Sequence, residues 1–399
     1  MNNQWRFKGN ELKYVSDVIA SGEGSSTAGN YNSLFEVEFA KKCGAKYAVT
    51  FNSGTSTLHA ALHALGVGYG DEVIMPPVTV ISNFDVTIAA NAIPVFADVD
   101  LETFNICPKD IEKRITPRTK AIMPVSVYGL SCDLGPIMEI AKKYNLVVIN
   151  DAAEAHGATY QNKPISDYAH ITSFSTENSK HIATGDGGII TTNDPELAKK
   201  CRKFCSLGYH AMTADSGKFR LIAKDELQDP NYKRHDSFAY NYRMPELAAA
   251  VGLAQTERYE YFVGTREKIG LRMHEIVSES NFMIPQKKID GSRNTYWTFA
   301  SRFIHPDVTW QEFRKKYMEN GGESIYGCWA LTYDEPIVAH GEYKYHNPPL
   351  YDELKYDRNS YPNAKLIQPQ LMLFPVNYPS LDDAKFTIEA LEKTLRYYK

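Results

Sequence analysis

Three groups of residues in this chain have the types and spacing for covalent chemistry on a phosphorylated ligand. The first is Ser173 to Gly188, where Lys180 stands between a hydroxyl-rich strand end (Ser175, Ser179) and the glycine turn Gly185-Asp-Gly-Gly188. Apolar β-type segments on both sides, Ala169 to Phe174 and Ile189 to Thr192, hold the lysine stem in the interior, where an ammonium needs a reason to be. Two readings are open at this point: an amine that forms a Schiff base with a carbonyl, or a lysine paired with a carboxylate such as Asp186. The second group is Asn52 to Thr57, small and hydroxylated, followed at once by the helical Leu58 to Leu65. A strand, a small-residue turn and a helix N-terminus make a ready anion site, because free N–H groups, hydroxyls and the positive end of the dipole converge. The plainer reading of the same turn is an N-cap by Ser53 or Thr55. The third group is Asp151-Ala-Ala-Glu154-Ala-His156-Gly157. Asp151 closes an apolar strand and reads as a functional carboxylate or a helix cap, and His156 as a hydrogen-bonded core imidazole.

The elements that must position these groups alternate. A helix over Leu12 to Ala20 ends in a Gly/Ser loop, and a second runs from Tyr31 to Lys42 before a strand at Tyr47 to Phe51. Strands near Asp71 and Ile93 bracket a helix over Asn83 to Asn91. The spacing then predicts a strand over Ala121 to Tyr128, a helix over Leu134 to Lys143, and a strand over Leu146 to Asn150. Fully apolar strands alternating with helices predict an α/β fold with a mostly parallel sheet covered on both faces and ligands at the strands' carboxyl ends. After the helix Pro195 to Cys205 comes a long polar stretch, Gly208 to Asp236, and then a helix from Glu246 through Leu253 toward Phe262. A break expected near Gly264 divides a large domain, 1–264, from a smaller C-terminal α+β domain, 265–399. The latter has a helix over Lys268 to Ser278, a strand over Tyr296 to Phe303 and a terminal helix over Ser380 to Tyr398.

Composition narrows the partners. The chain has 399 residues, 43% hydrophobic and 23% charged, with a net charge of -4 and interspersed charges, which excludes an electrostatic footprint for nucleic acid or an anionic membrane. The N-terminus lacks an apolar h-region and no run approaches a membrane span, so a cytoplasmic location is expected. Six scattered cysteines read as reduced thiols, and Cys201 with Cys205, lacking further ligands nearby, as buried thiols and not a metal site.

A phosphate cradle, an acid at a strand end and an interior lysine are together the inventory that pyridoxal 5'-phosphate needs. Ordered stretches then carry a resemblance: Glu36-Val-Glu-Phe-Ala, Ser53-Gly-Thr, Ala92-Ile-Pro-Val-Phe-Ala-Asp-Val, Val125-Ser-Val-Tyr-Gly, Asp151-Ala-Ala-Glu-Ala-His-Gly-Ala, Ser179-Lys-His-Ile, Gly185-Asp-Gly-Gly and Tyr240-Asn-Tyr-Arg-Met. From about residue 5 to 395 the chain resembles the DegT/DnrJ/EryC1/StrS sugar aminotransferases, fold-type I pyridoxal phosphate enzymes. The resemblance implies a seven-stranded, mostly parallel sheet and a homodimer with shared active sites. It also implies Lys180 as Schiff-base lysine, Asp151 beside the pyridinium, Glu154 at the ring hydroxyl, and Gly54, Thr55 and Ser175 on the phosphate, joined by Asn241 from the neighbouring subunit. L-Glutamate is the implied amino donor and a keto-sugar, nucleotide-linked, free or acidic, the acceptor, in surface polysaccharide, lipopolysaccharide or secondary-metabolite sugar biosynthesis. The chain departs from the family's usual pattern at Val80, where an aromatic often stacks on the cofactor, at Ala239, and in Ser324 to Ala330 near the substrate. One subgroup carries His in place of the lysine and acts as a dehydratase. Lys180 lies five residues after Ser175 and five before Gly185, which is the lysine's register, so transamination is expected over that alternative or a non-catalytic binding protein.

Overall fold

The computed structural model describes residues 3–218 and 222–399 of the chain. Seven strands, β1 (Tyr47–Phe51), β2 (Glu72–Met75), β3 (Ile93–Phe96), β4 (Thr119–Ile122), β5 (Val147–Asp151), β6 (Ile171–Ser175) and β7 (Gly188–Thr192), form one sheet in the order β1-β7-β6-β5-β4-β2-β3. All are parallel except β7, which runs against both its neighbours. Side chains along each strand alternate between two helical layers: Val73 and Met75 against Ile74, Ile149 against Val148, Ile190 against Ile189. That two-sided burial explains why the strands read as continuous apolar runs.

Of the helices, α1 (Glu11–Ser21) and α2 (Tyr31–Lys42) pack with α7 (Glu246–Glu257), and α3 (Gly54–Ala64) packs between α4 (Ser82–Ala89) and α6 (Pro195–Cys205), while α5 (Leu134–Tyr144) covers the second layer. A four-stranded antiparallel sheet, β8 (Met283–Pro285), β9 (Phe299–Phe303), β10 (Tyr326–Gly327) and β11 (Leu371–Phe374), has the order β8-β9-β11-β10. Its core is shared with α8 (Tyr259–Ser278), α9 (Trp310–Glu319) and α10 (Lys385–Tyr397). The α/β architecture with a mostly parallel seven-stranded sheet and a smaller α+β unit is therefore as expected.

Several local expectations are corrected. The strand from Ala121 stops at Ile122; beyond it only an isolated bridge from Val125 to Asp151 forms before the chain turns at Val127–Gly129, with Tyr128 in the left-handed region (φ 62°). The helix from Glu246 stops at Arg258, and the expected break near Gly264 lies inside α8, which runs unbroken from Tyr259 to Ser278. Buried Phe262, Val263, Arg266 and Ile269 on one face hold that helix across the glycine. The strand expected from Tyr296 begins at Phe299, since Tyr296 has φ 47°, and the terminal helix begins at Lys385, after a turn in which Ser380 and Asp383 bond to each other. In the long polar stretch, of which residues 219–221 lie outside the described residues, a short helix, Lys224–Gln228, forms.

Residues 331–367 return to the large sheet. Tyr351 Oη donates to the carbonyls of Ile88 and Ala92, and Tyr356 Oη donates to that of Pro94 on β3, so tyrosine hydroxyls cover carbonyls at the sheet's edge. Among the described residues no helix is long and apolar enough to cross a membrane.

Candidate active site

The register of the sheet gathers the expected residues at one edge. Asp151, the last residue of β5, lies opposite Ser173 of parallel β6, and Ser175, the last of β6, lies opposite Gly188 at the start of β7. β1 ends at the same edge, and α3 begins three residues later at Gly54. Ser53 caps that helix, its Oγ accepting from the Ser56 N–H at 3.1 Å, a contact worth about 1 kcal/mol. The cap and the cradle are compatible readings of one turn, because a helix cannot satisfy its own first-turn N–H groups at Gly54 and Thr55.

Glycine is required where these pieces touch. A Cβ at Gly54 would lie 2.9 Å from Ser175 Cβ and 3.3 Å from its Cα, so the helix N-terminus rests directly on the end of β6. A Cβ at Gly188 would lie 2.4 Å from the Ser53 carbonyl oxygen, which is how β7 passes beneath the same turn. Thr57 and Ser173 share a hydroxyl hydrogen bond of 2.5 Å that fixes α3 to β6.

Gly54, Thr55, Asp151, Glu154, Ser175 and Lys180 all line one cavity of about 290 Å³, together with Thr79, Val80 and Trp329. Asn241 does not. It is exposed and forms a backbone bridge with Ser206. Val80 lines the cavity as an aliphatic, and Trp329, in the unusual stretch Ser324 to Ala330, is the aromatic that lines it.

Asp151 is buried, with Oδ2 accepting from Asn83 Nδ2 at 2.9 Å and Oδ1 from the Ala153 N–H at 3.0 Å. Burial pushes its pKa above the ordinary carboxylate value, against the lowering by Asn83, the Ala153 N–H and the charge of Lys180. Among the described residues no lysine, arginine or histidine stands within ion-pair distance of it. A buried carboxylate facing a cavity without a paired cation fits a ligand that brings one, as a protonated pyridine nitrogen does. Asn83 was not legible as a partner, because it lies 68 positions away in sequence.

Lys180 is nearly buried. Its Nζ stands 3.6 Å from Glu154 Oε1 and 4.3 Å from the centroid of the Trp297 ring. The carboxylate it meets is thus Glu154 and not Asp186, which is exposed. Glu154 Oε2 accepts at 2.8 Å from the N–H of Tyr128, the residue held in the left-handed region. Burial raises the Glu154 carboxyl, and the charge of Lys180 offsets part of that. Neighbouring His181 is fully buried and its Nε2–H donates to the Thr295 carbonyl at 2.9 Å, with its pKa depressed by burial and by Arg266. Lys180, and not His181, therefore opens into the cavity. His156 is a core imidazole, as its sequence setting implies: its Nε2–H donates to the Ser175 carbonyl at 2.8 Å, and burial lowers its pKa to about 3.

A second cavity of about 610 Å³ adjoins the first and shares Glu177 and Trp329 with it, with Trp297, Ser324 and Tyr326 among its walls. The site thus combines an amine beside an anion cradle, a buried acid, and room for a larger substrate.

Comparison with known proteins agrees with that geometry. The sequence profile of the DegT/DnrJ/EryC1/StrS aminotransferase family matches residues 6–390. GDP-perosamine synthase of Caulobacter vibrioides is 38% identical over 299 residues, which span 74% of this chain and 75% of that protein. The solved structure of the aminotransferase from Psychrobacter cryohalolentis superposes with a TM-score of 0.84 at 28% identity, covering 97% of this chain and 96% of that one. NtdA from Bacillus subtilis, solved with bound cofactor PMP, superposes with a TM-score of 0.79 at 26% identity, covering 99% of this chain and 83% of that one. With the lysine, acid and cradle on one cavity and the profile spanning nearly the whole chain, this protein belongs to the DegT/DnrJ/EryC1/StrS aminotransferase family and is a pyridoxal phosphate-dependent sugar aminotransferase.

Proposed function

We propose that this enzyme transfers the amino group of L-glutamate to the keto carbon of a nucleoside-diphosphate-linked sugar, GDP-linked as in the name of its Caulobacter relative. The observation that carries the reading is the cavity in which Lys180 Nζ stands 3.6 Å from Glu154 Oε1 and 4.3 Å from the ring of Trp297, a wall of the larger adjoining space. Bound pyridoxal phosphate supplies an aldehyde for amine exchange and a ring that spreads the charge left when a proton departs. The protein does the rest. Gly54, Thr55 and Ser175 hold the phosphate, Asp151 keeps the ring nitrogen protonated, and Glu154 faces the ring hydroxyl. Lys180 Nζ, once free, takes the proton from the donor's α-carbon and later gives a proton to the acceptor carbon. The aromatic walls of the adjoining space, Trp297, Trp329 and Tyr326, suit the apolar face of a sugar ring.

The protein acts as a homodimer in the cytoplasm, and the partner subunit's Asn241 completes the phosphate site. Asn241 supports this by its exposure next to exposed Phe238, and the free state of all six cysteines suits a reducing compartment. Mixed subunits carrying Lys180→Ala and Asn241→Ala will then regain one intact site per heterodimer and exceed the activity of either parent.

The substrate is tested by loading the protein with pyridoxamine phosphate, adding keto-sugars in turn, and following the visible band of lysine-bound cofactor, roughly 400 to 430 nm. A GDP-linked keto-sugar is expected to restore the band, and L-glutamate to discharge it with release of 2-oxoglutarate and ping-pong kinetics. Restoration by free keto-sugars alone would overturn the nucleotide assignment, and a sequential initial-rate pattern would overturn the two half-reactions.

A further inference from the structure

Four successive carbonyls in the lysine loop, those of Asn178, Ser179, Lys180 and His181, point away from any ladder, and among the described residues no backbone N–H reaches them. Side-chain cations do. Arg6, from a short 3-10 turn at Asn3–Phe7, donates from Nη1 to the Asn178 carbonyl at 2.5 Å and from Nη2 to those of Lys180 at 2.5 Å and His181 at 3.0 Å. Arg266 of α8 donates from Nη2 to the carbonyls of Ser179 at 2.9 Å and Lys180 at 3.2 Å, and from Nη1 to that of Trp297 at 3.0 Å. Trp297 closes the ring, its Nε1–H donating to the Ser179 carbonyl at 3.2 Å while its face lies under Lys180 Nζ.

Both arginines are fully or almost fully buried, and among the described residues neither pairs with a carboxylate at ion-pair distance. Burial pulls the Arg6 guanidinium down to about 10 and Arg266 well below its usual value, Arg266 further by its proximity to Arg6. Unpaired buried cations are costly, and these two are spent on the backbone of one loop. The N-terminal turn is itself pinned: the Arg6 carbonyl accepts from Gln255 Nε2 at 2.7 Å and from Arg258 Nη1 at 2.9 Å, at the junction of α7 and α8.

We infer that Arg6, with Arg266, clamps the lysine loop through its carbonyls and is a positioning residue for Lys180, so that the extreme N-terminal segment belongs to the machinery of the active site. The clamp fixes the loop backbone and leaves the lysine stem as the moving part. This rests on the reading of Lys180 as the lysine that carries the cofactor.

The test separates attachment from binding. Cofactor-free protein is mixed with pyridoxal phosphate, and the rate of covalent linkage is followed in the visible band. Affinity is measured separately with pyridoxamine phosphate, which has no aldehyde for a lysine to attack. In Arg6→Gln the attachment rate falls at least about tenfold while pyridoxamine phosphate affinity stays within about threefold, and Arg6→Lys recovers part of the rate. A wild-type rate in Arg6→Gln overturns the clamp, as does an equal loss of rate and affinity, which marks general collapse of the site. A second measurement needs no variant. Hydrogen exchange of the wild-type cofactor-free protein is expected to show the amides of residues 4–7 and 178–183 opening together, with rates within about threefold after correction for intrinsic exchange. Independent opening of the two segments contradicts the inference. Failure of the underlying reading has a different signature: wild-type protein whose cofactor, fixed by borohydride, maps to a lysine other than Lys180.

Discussion

Glu154 and Lys180 meet inside the cavity with 3.6 Å between Oε1 and Nζ, close enough to pair in charge and too far for a short hydrogen bond. The lysine is thereby held without being tied, with the Trp297 ring within 4.3 Å of the same nitrogen. Glu154 in turn is fixed by the Tyr128 N–H.

This pair predicts a pH effect. Burial raises the Glu154 carboxyl, so on acidification it takes its proton at higher pH than an exposed glutamate would. The acid limb of kcat/KM is expected to include this ionisation. Glu154→Gln removes it, flattening the acid limb while kcat at pH 8 stays within about fivefold of wild type. An unchanged acid limb in the variant contradicts the assignment.

Asp151 predicts a trade between stability and function. Its carboxyl is raised by burial from the ordinary 3.8, so between that value and the raised one the folded state holds a proton that the unfolded chain has released. Stability therefore falls as pH rises through that window and stays lowered above it. Asp151→Asn abolishes this loss: at pH 7 its cofactor-free form should melt at or above the wild-type temperature, while transamination drops at least about a hundredfold. A variant that melts lower and also keeps its rate would refute both halves.

Gly54 predicts a loss confined to the cofactor. Alanine there places a Cβ 2.9 Å from Ser175 Cβ, which pushes the helix N-terminus off the strand end. The affinity for pyridoxal phosphate is expected to weaken by about tenfold, with far-ultraviolet circular dichroism unchanged. Equilibrium titration of the cofactor-free variant checks it.

How much of this was readable before the structure depends on distance along the chain. Lys180 stood out because β-type residues flank it on both sides, and the turn at Ser53 because it joins a strand to a helix; both signals are local. The partners that finish the site are remote: Asn83 reaches Asp151 across 68 positions, and Arg6 reaches Lys180 across 174. Backbone conformation was equally hidden, since no pattern marks Tyr128 or Tyr296 as left-handed, and each lies where apolar composition predicts strand and none forms. Gly264 misled in the opposite direction. A helix tolerates a glycine at a cost of about 1 kcal/mol when its buried face is large, and Phe262, Val263, Arg266 and Ile269 supply that face. The return of residues 331–367 to the large sheet had no periodic signature, because scattered tyrosines and helices of only four to six residues, not one long amphipathic helix, make the contact.

Buried neutral histidines predict acid sensitivity. Burial lowers His59 from the ordinary 6.5 to about 4 and His156 to about 3. Between the ordinary and the lowered values the unfolded chain binds protons that the folded one refuses, so this contribution is fully present above the ordinary value and is lost as pH falls. The loss is roughly 1.4 kcal/mol per pH unit for each histidine within that window. His59→Phe, which cannot take a proton, should lose less urea resistance between pH 7 and pH 5 than wild type. Equal losses would exclude His59 as a source.

Attachment of the cofactor to Lys180 is tested by peptide mapping after borohydride reduction of the holoprotein. The reduced cofactor is expected on the peptide containing Lys180, and Lys180→Ala is expected to show no visible band without added amine. Label on a different lysine, or a band that persists in Lys180→Ala without added amine, would contradict it.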